Sequence, residues 1–266
     1  MSSDLRLFEY YEQNHAERDR LGRREGLIEF VRTKELLRRY LPKPPSAVID
    51  VGGGTGIYAA WLASLGYDVH LVDIVPTHVR EARQIGTFSA AVGDARALPY
   101  PDDSCDVTLL LGPLYHLLTG TERLQALCEA QRVVRPGGLI VTAYISRGAV
   151  AMDGFVKGWI DRPGVIHAVR DHVRQGVSPE HSEGFGTIAY FHLPSEVRTE
   201  LAAAGLDLVG FFGIEGPGWV APDFDDRWHM EDKRQVLLES ALVCEEVPDL
   251  ISLSPHLLAI SRRPDA

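Results

Sequence analysis

A chain of 266 residues, 45% hydrophobic and 24% charged, is long enough for a single globular domain with its own core, or for one domain carrying a cap. A formal net charge of -10 excludes a generic phosphate-binding surface, because nucleic-acid affinity comes from clustered Lys and Arg, and no nucleic-acid partner is expected. The amino terminus, Met1 to Arg6, lacks the apolar core of a signal peptide, no apolar run approaches the roughly 20 residues of a membrane span, and Cys105, Cys128 and Cys244 share no metal or disulfide spacing, so a cytoplasmic protein with no membrane contact and no metal is expected.

In chain order, residues 4 to 41 predict helix in two pieces, with Leu27, Phe30, Val31, Leu36, Leu37, Tyr40 and Leu41 at helical spacing, ended by Pro42, Pro44 and Pro45. Tyr10 to His15 holds more aromatic and polar groups than a plain packing helix requires. Ala47 to Val51 predicts the first strand, and the chain then runs Gly52-Gly53-Gly54-Thr55-Gly56 into a helical pattern that Gly66 should stop. Glycines at alternate positions let the backbone bend sharply beneath a bulky polar ligand. A dinucleotide site wants G-x-G-x-x-G, and the sixth place counted from Gly52 is Ile57.

Tyr67 to Asp73 predicts a second strand ending on an acid. Asp73 stands where an α/β unit places a carboxylate to accept both hydroxyls of an adenosine ribose. A helix from Pro76 and a short strand from Phe88 to Val92 follow. The nearly continuous apolar run Val107 to Leu111 predicts a central parallel strand covered on both faces. It emerges at Gly112-Pro113-Leu114-Tyr115-His116, a loop at the end where open α/β sheets hold ligands. Thr119 and Glu122 form a capping-box pattern ahead of the next helix, and Arg135-Pro136-Gly137-Gly138 breaks that helix before a fifth strand, Leu139 to Tyr144.

Residues 147 to 193 form a long excursion with helical periodicity from Phe155 to Val173, where substrate selectivity would live. His167, His172, His181 and His192 match no metal template. A helix from Pro194, a sixth strand from Leu206 to Ile214, a turn carrying an exposed-looking Trp219, a helix over 229–246 and a seventh strand from Pro255 to Ser261 complete the chain. Strands alternating with helical patterns predict a parallel, doubly wound sheet.

The turn Asp50-Val51-Gly52-Gly53-Gly54-Thr55-Gly56 resembles motif I of the class I S-adenosylmethionine-dependent methyltransferases of the small-molecule type. The stretch after Gly93-Asp94-Ala95 resembles the third motif of that family, and Arg135 to Gly138 its turn before the fifth strand. The resemblance implies an α/β fold, a doubly wound seven-stranded and mostly parallel sheet of the Rossmann-like methyltransferase type, its last strand antiparallel, with an α-helical cap insertion. It divides the chain into an amino-terminal helical lid (1–45), a cofactor-binding core (46–146), a substrate cap (147–193) and a segment completing the sheet (194–266).

S-adenosylmethionine is the implied cofactor, bound by Asp50, Gly52, Gly54, Gly56, Asp73, Ile74, Asp94, Ala95 and Leu111. Asp94 would take the adenine amino group and the Ala95 N–H a ring nitrogen. Tyr11 would close over the cofactor and reach the reacting methyl, unless it only packs. Arg32 would take the cofactor carboxylate or stay an ordinary surface arginine. His116 is the general-base candidate by position, since an imidazole titrates near neutrality, and its other reading is a cavity wall. The implied reaction moves a methyl to an N, O or C nucleophile of a small-molecule or peptide acceptor. An NAD(P)-dependent oxidoreductase would need the other glycine spacing, and a non-catalytic binding protein would keep Gly52, Gly54, Gly56 and Asp73 behind a closed cap.

Overall fold

Period-two alternation decides how the central strands are covered. The computed structural model describes residues 25–177 and 189–265. Along β1 (Ala47–Val51), Val48 joins one core layer while Ile49 and Val51 join the other; Leu109 and Leu110 of β4 (Cys105–Leu110) divide the same way, as do Val141 and Ile140 of β5 (Val134–Ser146). One layer is closed by α1 (Glu25–Tyr40) and α2 (Ile57–Ser64) through Leu36, Leu37, Tyr58 and Leu62, and by α3 (Pro76–Ile85) through Ala82. The other is closed by α5 (Gly120–Val133) and α8 (Pro194–Ala203) through Leu127, Val133, Val197 and Leu201.

With β2 (Asp68–Asp73), β3 (Ser89–Val92), β7 (Asp207–Gly213) and β8 (His256–Arg262), the strands order as β3-β2-β1-β4-β5-β8-β7. β1 to β5 pair in parallel, and β8 runs antiparallel between β5 and β7. The expected mostly parallel, doubly wound sheet is therefore present, with one addition. β5 outruns β4, whose last pair is Leu110 with Thr142, and the edge left open is taken by a two-residue β6 (Phe191–His192) that pairs with Ile145 and Ser146. The sheet has eight strands rather than seven because the excursion hydrogen-bonds to β5 as it returns.

Four further differences have identifiable causes or partners. β5 begins at Val134 and takes in Arg135 to Gly138, where Gly137 at φ +75 donates its N–H to the Arg263 carbonyl. The stretch after β4 coils into a short helix, α4 (Pro113–His116). Trp219, expected to be exposed, is 1% exposed in a 3-10 turn (Gly216–Val220), its indole N–H donating to the Leu253 carbonyl at 2.8 Å, as a buried indole requires. The helix expected over 229–246 is α9 (Phe224–His229) and α10 (Glu231–Cys244), whose Phe224, Trp228 and Leu237 pack on Ile28 of α1.

Thr119 and Glu122 form the expected capping box: the Thr119 hydroxyl accepts the Glu122 N–H and the Glu122 carboxylate accepts the Thr119 N–H. Thr119→Ala should lower unfolding free energy by about 1 kcal/mol in a urea titration, with the slope of the transition unchanged.

The excursion holds α6 (Ala149–Val156) and α7 (Val165–Gln175) around a cluster of its own, Val150, Trp159, Ile160, Val165 and Val169. Its two ends are tied by buried Arg147, which donates to the Phe191 carbonyl, to the Tyr190 hydroxyl and to both oxygens of Glu196. Among the described residues no helix is long and apolar enough to cross a membrane.

Candidate cofactor and acceptor site

The strand order reverses between β1 and β4, and it is at such a switch point, outside the carboxyl ends of the strands, that open α/β sheets bind ligands. The glycine turn fills the β1 side. Gly52 at φ +68 donates its N–H to the Val72 carbonyl at 2.7 Å, and a Cβ there would stand 2.8 Å from the Pro113 ring. The turn thus lies against the start of α4, and only glycine permits that approach. Gly54, at φ +57, would meet nothing within 4 Å and faces open space. Gly56 at φ +91 would put a Cβ 2.5 Å from Phe88, so it too is confined to glycine.

Asp73 holds the turn in shape. One of its carboxylate oxygens accepts the Gly54 N–H and the other the Val75 N–H, both at 2.8 Å. A carboxylate oxygen carries two lone pairs, so each retains acceptor capacity for a diol laid over the turn. Ile74, beside it, is half-buried. Asp50 lies beneath the turn, 1% exposed, with one oxygen 2.6 Å from where a Gly53 Cβ would stand. Burial, and then the charge of Asp73, push the Asp50 carboxyl up to about 7.

Asp94 is held by Arg96, which offers its backbone N–H and two guanidinium nitrogens and reaches on to Glu122. Partial burial raises this carboxyl, but the Arg96 hydrogen bonds and charge outweigh it and keep it below the usual carboxylate range. Ala95 is buried in the core layer, and Leu111 is half-buried against the other.

His116 sits half-buried at the end of α4, edge-on to Tyr115 with ring centroids 4.7 Å apart. The Tyr115 carbonyl accepts the N–H of Tyr190, so the return of the excursion is fastened to the loop that carries His116. Arg123 of α5 fixes the same loop from below: one guanidinium nitrogen donates to the carbonyls of Leu117 and Leu118, and the rest of the fork pairs with Glu200 of α8.

The structure thus brings Asp50, Gly52, Gly54, Gly56, Asp73 and the His116 loop together, and it leaves Arg32 out. The Arg32 side chain is fully buried and pairs with Glu35 and with Glu245 of α10. The Glu245 carbonyl accepts the N–H of Gly213 on β7, four strands or about 19 Å across the sheet from β1. The guanidinium is consumed in helix packing, which corrects the expectation that it meets the cofactor carboxylate or lies on the surface. Tyr11 falls outside the described residues.

Residue spacing gave no sign of a polar group at the β7–β8 end of the same rim. Fully buried Glu215 accepts from His256 Nδ1 at 2.6 Å and from the His256 backbone N–H, with Glu29 of α1 3.6 Å from the same Nδ1. Burial drives the Glu215 carboxyl up, Glu29 adds to the rise, and His256 opposes it. Only the antiparallel pairing of β8 with β7 brings these residues together.

Comparison with known proteins agrees with this geometry. Residues 49–142 match the family model described as a methyltransferase domain. The chain is 37% identical over 195 residues to a demethylmenaquinone methyltransferase of Beutenbergia cavernae, covering 61% of this chain and 79% of that one. The chain belongs to the class I S-adenosylmethionine-dependent methyltransferases. Another relative, the ubiquinone/menaquinone biosynthesis C-methyltransferase of Acidiphilium cryptum, is 35% identical over 127 residues, 44% of this chain and 49% of that one, so the match spans about half its length. The fold of the S-adenosylmethionine-dependent methyltransferase from Mesorhizobium loti superposes with a TM-score of 0.61 at 17% identity, covering 89% of this chain and 100% of that one. S-adenosylmethionine is the cofactor of the family, and the open face at Gly54 beside the Asp73 acceptors fits its adenosine.

Proposed function

We propose that the chain transfers a methyl group from S-adenosylmethionine to a nucleophile on a small ring-bearing molecule. The observation that carries this reading is the glycine turn opening at Gly54, with Asp73 on one side and the α4 loop packed against it on the other. Bound there, S-adenosylmethionine supplies an electrophilic methyl on a positively charged sulfur. The protein's contribution is chiefly to align the acceptor, which suits a reaction whose leaving group is already good. Asp73 and the turn fix the adenosine, and Asp94 stays ionised at the adenine side. The α4 loop, held by Pro113 against Gly52 and by Tyr115 against Tyr190, carries His116 at the same end of the sheet as the glycine turn. An acceptor hydroxyl or amine would pass its proton to His116.

A second reading gives the proton to His256, whose Nδ1 is oriented by Glu215 as in other acid-oriented imidazole bases. The small-molecule acceptor is supported by relatives named for menaquinone and ubiquinone biosynthesis and by the acidic net charge.

The test is incubation of the full chain with methyl-labelled S-adenosylmethionine and a panel of phenols, quinols, amines, carboxylic acids, peptides and tRNA, reading S-adenosylhomocysteine release. Turnover with a phenol or quinol is expected. Transfer only to peptide or tRNA would overturn the acceptor class. His116→Asn should lower kcat about 100-fold or more with cofactor affinity unchanged, and a full rate would reduce His116 to a wall of the cavity.

A further inference from the structure

Asp50 is a buried carboxyl in an arrangement that disfavours its charge. It pairs in register with Leu71 on β2 and Leu109 on β4, so both flanking strands offer it hydrocarbon. One of its oxygens is fully buried with no hydrogen-bond partner among the described residues, pressed under the glycine turn. The charged group acting on it is another carboxylate, Asp73, whose oxygens each accept one backbone N–H, from Gly54 and from Val75. Beyond Asp73 stands His78 of α3, its Nδ1 3.4 Å from an Asp73 oxygen. Among the described residues no cation acts on Asp50, and a buried acid beside a second acid without one keeps its proton.

We infer that Asp50 holds a proton in the cofactor-free protein and releases it to solvent when the cationic cofactor settles over the glycine turn. The inference rests on the reading that the turn binds S-adenosylmethionine. That molecule carries a sulfonium and an ammonium against one carboxylate, a net charge of +1, so its arrival favours the ionised acid in a site of low dielectric. The balance is simple: neutral Asp50 and free cofactor become carboxylate and bound cofactor, with the proton passing to buffer. With the Asp50 carboxyl at about 7, most molecules are protonated at pH 6.5 and few at pH 8.5. Affinity therefore rises with pH through neutrality. The cofactor's own α-amine, near pKa ~8, takes up a proton on binding at higher pH and works in the opposite direction, which makes pH 6.5 the informative point.

The test is calorimetric titration of the full chain with S-adenosylmethionine at pH 6.5 in buffers of different ionisation enthalpy. Release of roughly half a proton or more per cofactor bound is expected, vanishing toward pH 8.5. Asp50→Asn should bind with no release, while His78→Gln should keep it. Tight binding without release, or release that persists in Asp50→Asn or disappears in His78→Gln, would overturn the inference while leaving the cofactor assignment standing. Absence of any binding would bring down that assignment and the inference with it. If Asp50→Asn does not fold, titrations of wild type, His78→Gln and His116→Asn across the pH range decide the source: release that survives in both imidazole variants comes from the buried acid, and release lost in either overturns the inference.

Discussion

Asp73→Ala is expected to weaken S-adenosylmethionine binding by at least about 100-fold. The carboxylate is proposed to do two jobs at once: it accepts the Gly54 and Val75 N–H groups that shape the turn, and in the proposed reading its remaining lone pairs accept the ribose diol. A hydrogen bond to a charged acceptor contributes about 1.5–3 kcal/mol, so losing two to the ligand corresponds to roughly 100-fold to 10,000-fold in Kd. The two orphaned N–H groups add a stability cost of about 1–3 kcal/mol each wherever water does not reach them. Asp73→Asn keeps the shape and one acceptor oxygen but turns an amide N–H toward a backbone N–H; it should fall between wild type and Ala. Calorimetric titration reads the affinity and thermal unfolding reads the fold. An Asp73→Ala protein that binds with wild-type affinity would remove Asp73 from the ribose and leave it as a turn residue.

What the sequence discloses about this molecule follows from range. The glycine turn at Gly52, Gly54 and Gly56, the acid closing β2 and the Thr119–Glu122 box are each written in a few consecutive residues, because backbone bends, strand ends and helix starts are local events. The parallel core is legible for the same reason, from β-branched runs alternating with helical ones. β6 is not, because two residues make a strand only when a longer neighbour leaves an edge to pair with. Trp219 looked exposed in a glycine-rich turn, and its burial depends on a carbonyl 34 residues away, that of Leu253. Arg32 shows the limit most plainly. Its place in the helix before β1 suited a cofactor carboxylate, yet its buried partner is Glu245, 213 positions on, and no local pattern announces that pairing. The Glu215–His256 contact spans 41 residues and depends on the turn back from β7 to β8.

The same reasoning makes Arg123→Leu the substitution with the largest expected loss of stability, together with a loss of turnover. Arg123 is buried in α5, its guanidinium stacked 3.8 Å from the Tyr190 ring centre, paired with Glu200 and donating to the Leu117 and Leu118 carbonyls. It joins the loop after His116, the return of the excursion and α8 through one side chain. Burial pushes the Glu200 carboxyl up, but His192 and Arg123 outweigh that and hold it below its ordinary value, so it is an anion that needs its partner. Removing one member of a buried pair strands the other at a cost of about 3–5 kcal/mol, and for a chain of this size that lowers Tm by roughly 6–20 °C. Arg123→Lys retains the charge but loses the planar fork, so it cannot serve both carbonyls and the carboxylate and should recover only part of the loss. Glu200→Gln combined with Arg123→Leu should cost less than the sum of the two single changes, because the second substitution removes the stranded charge left by the first. Additive losses would mean that the pair is not coupled and that the carbonyl contacts carry the effect. Initial rates taken well below the melting transition separate the two roles: a folded Arg123→Leu protein should bind S-adenosylmethionine normally at the glycine turn yet turn over slowly, since the loop that presents His116 has lost its lower support.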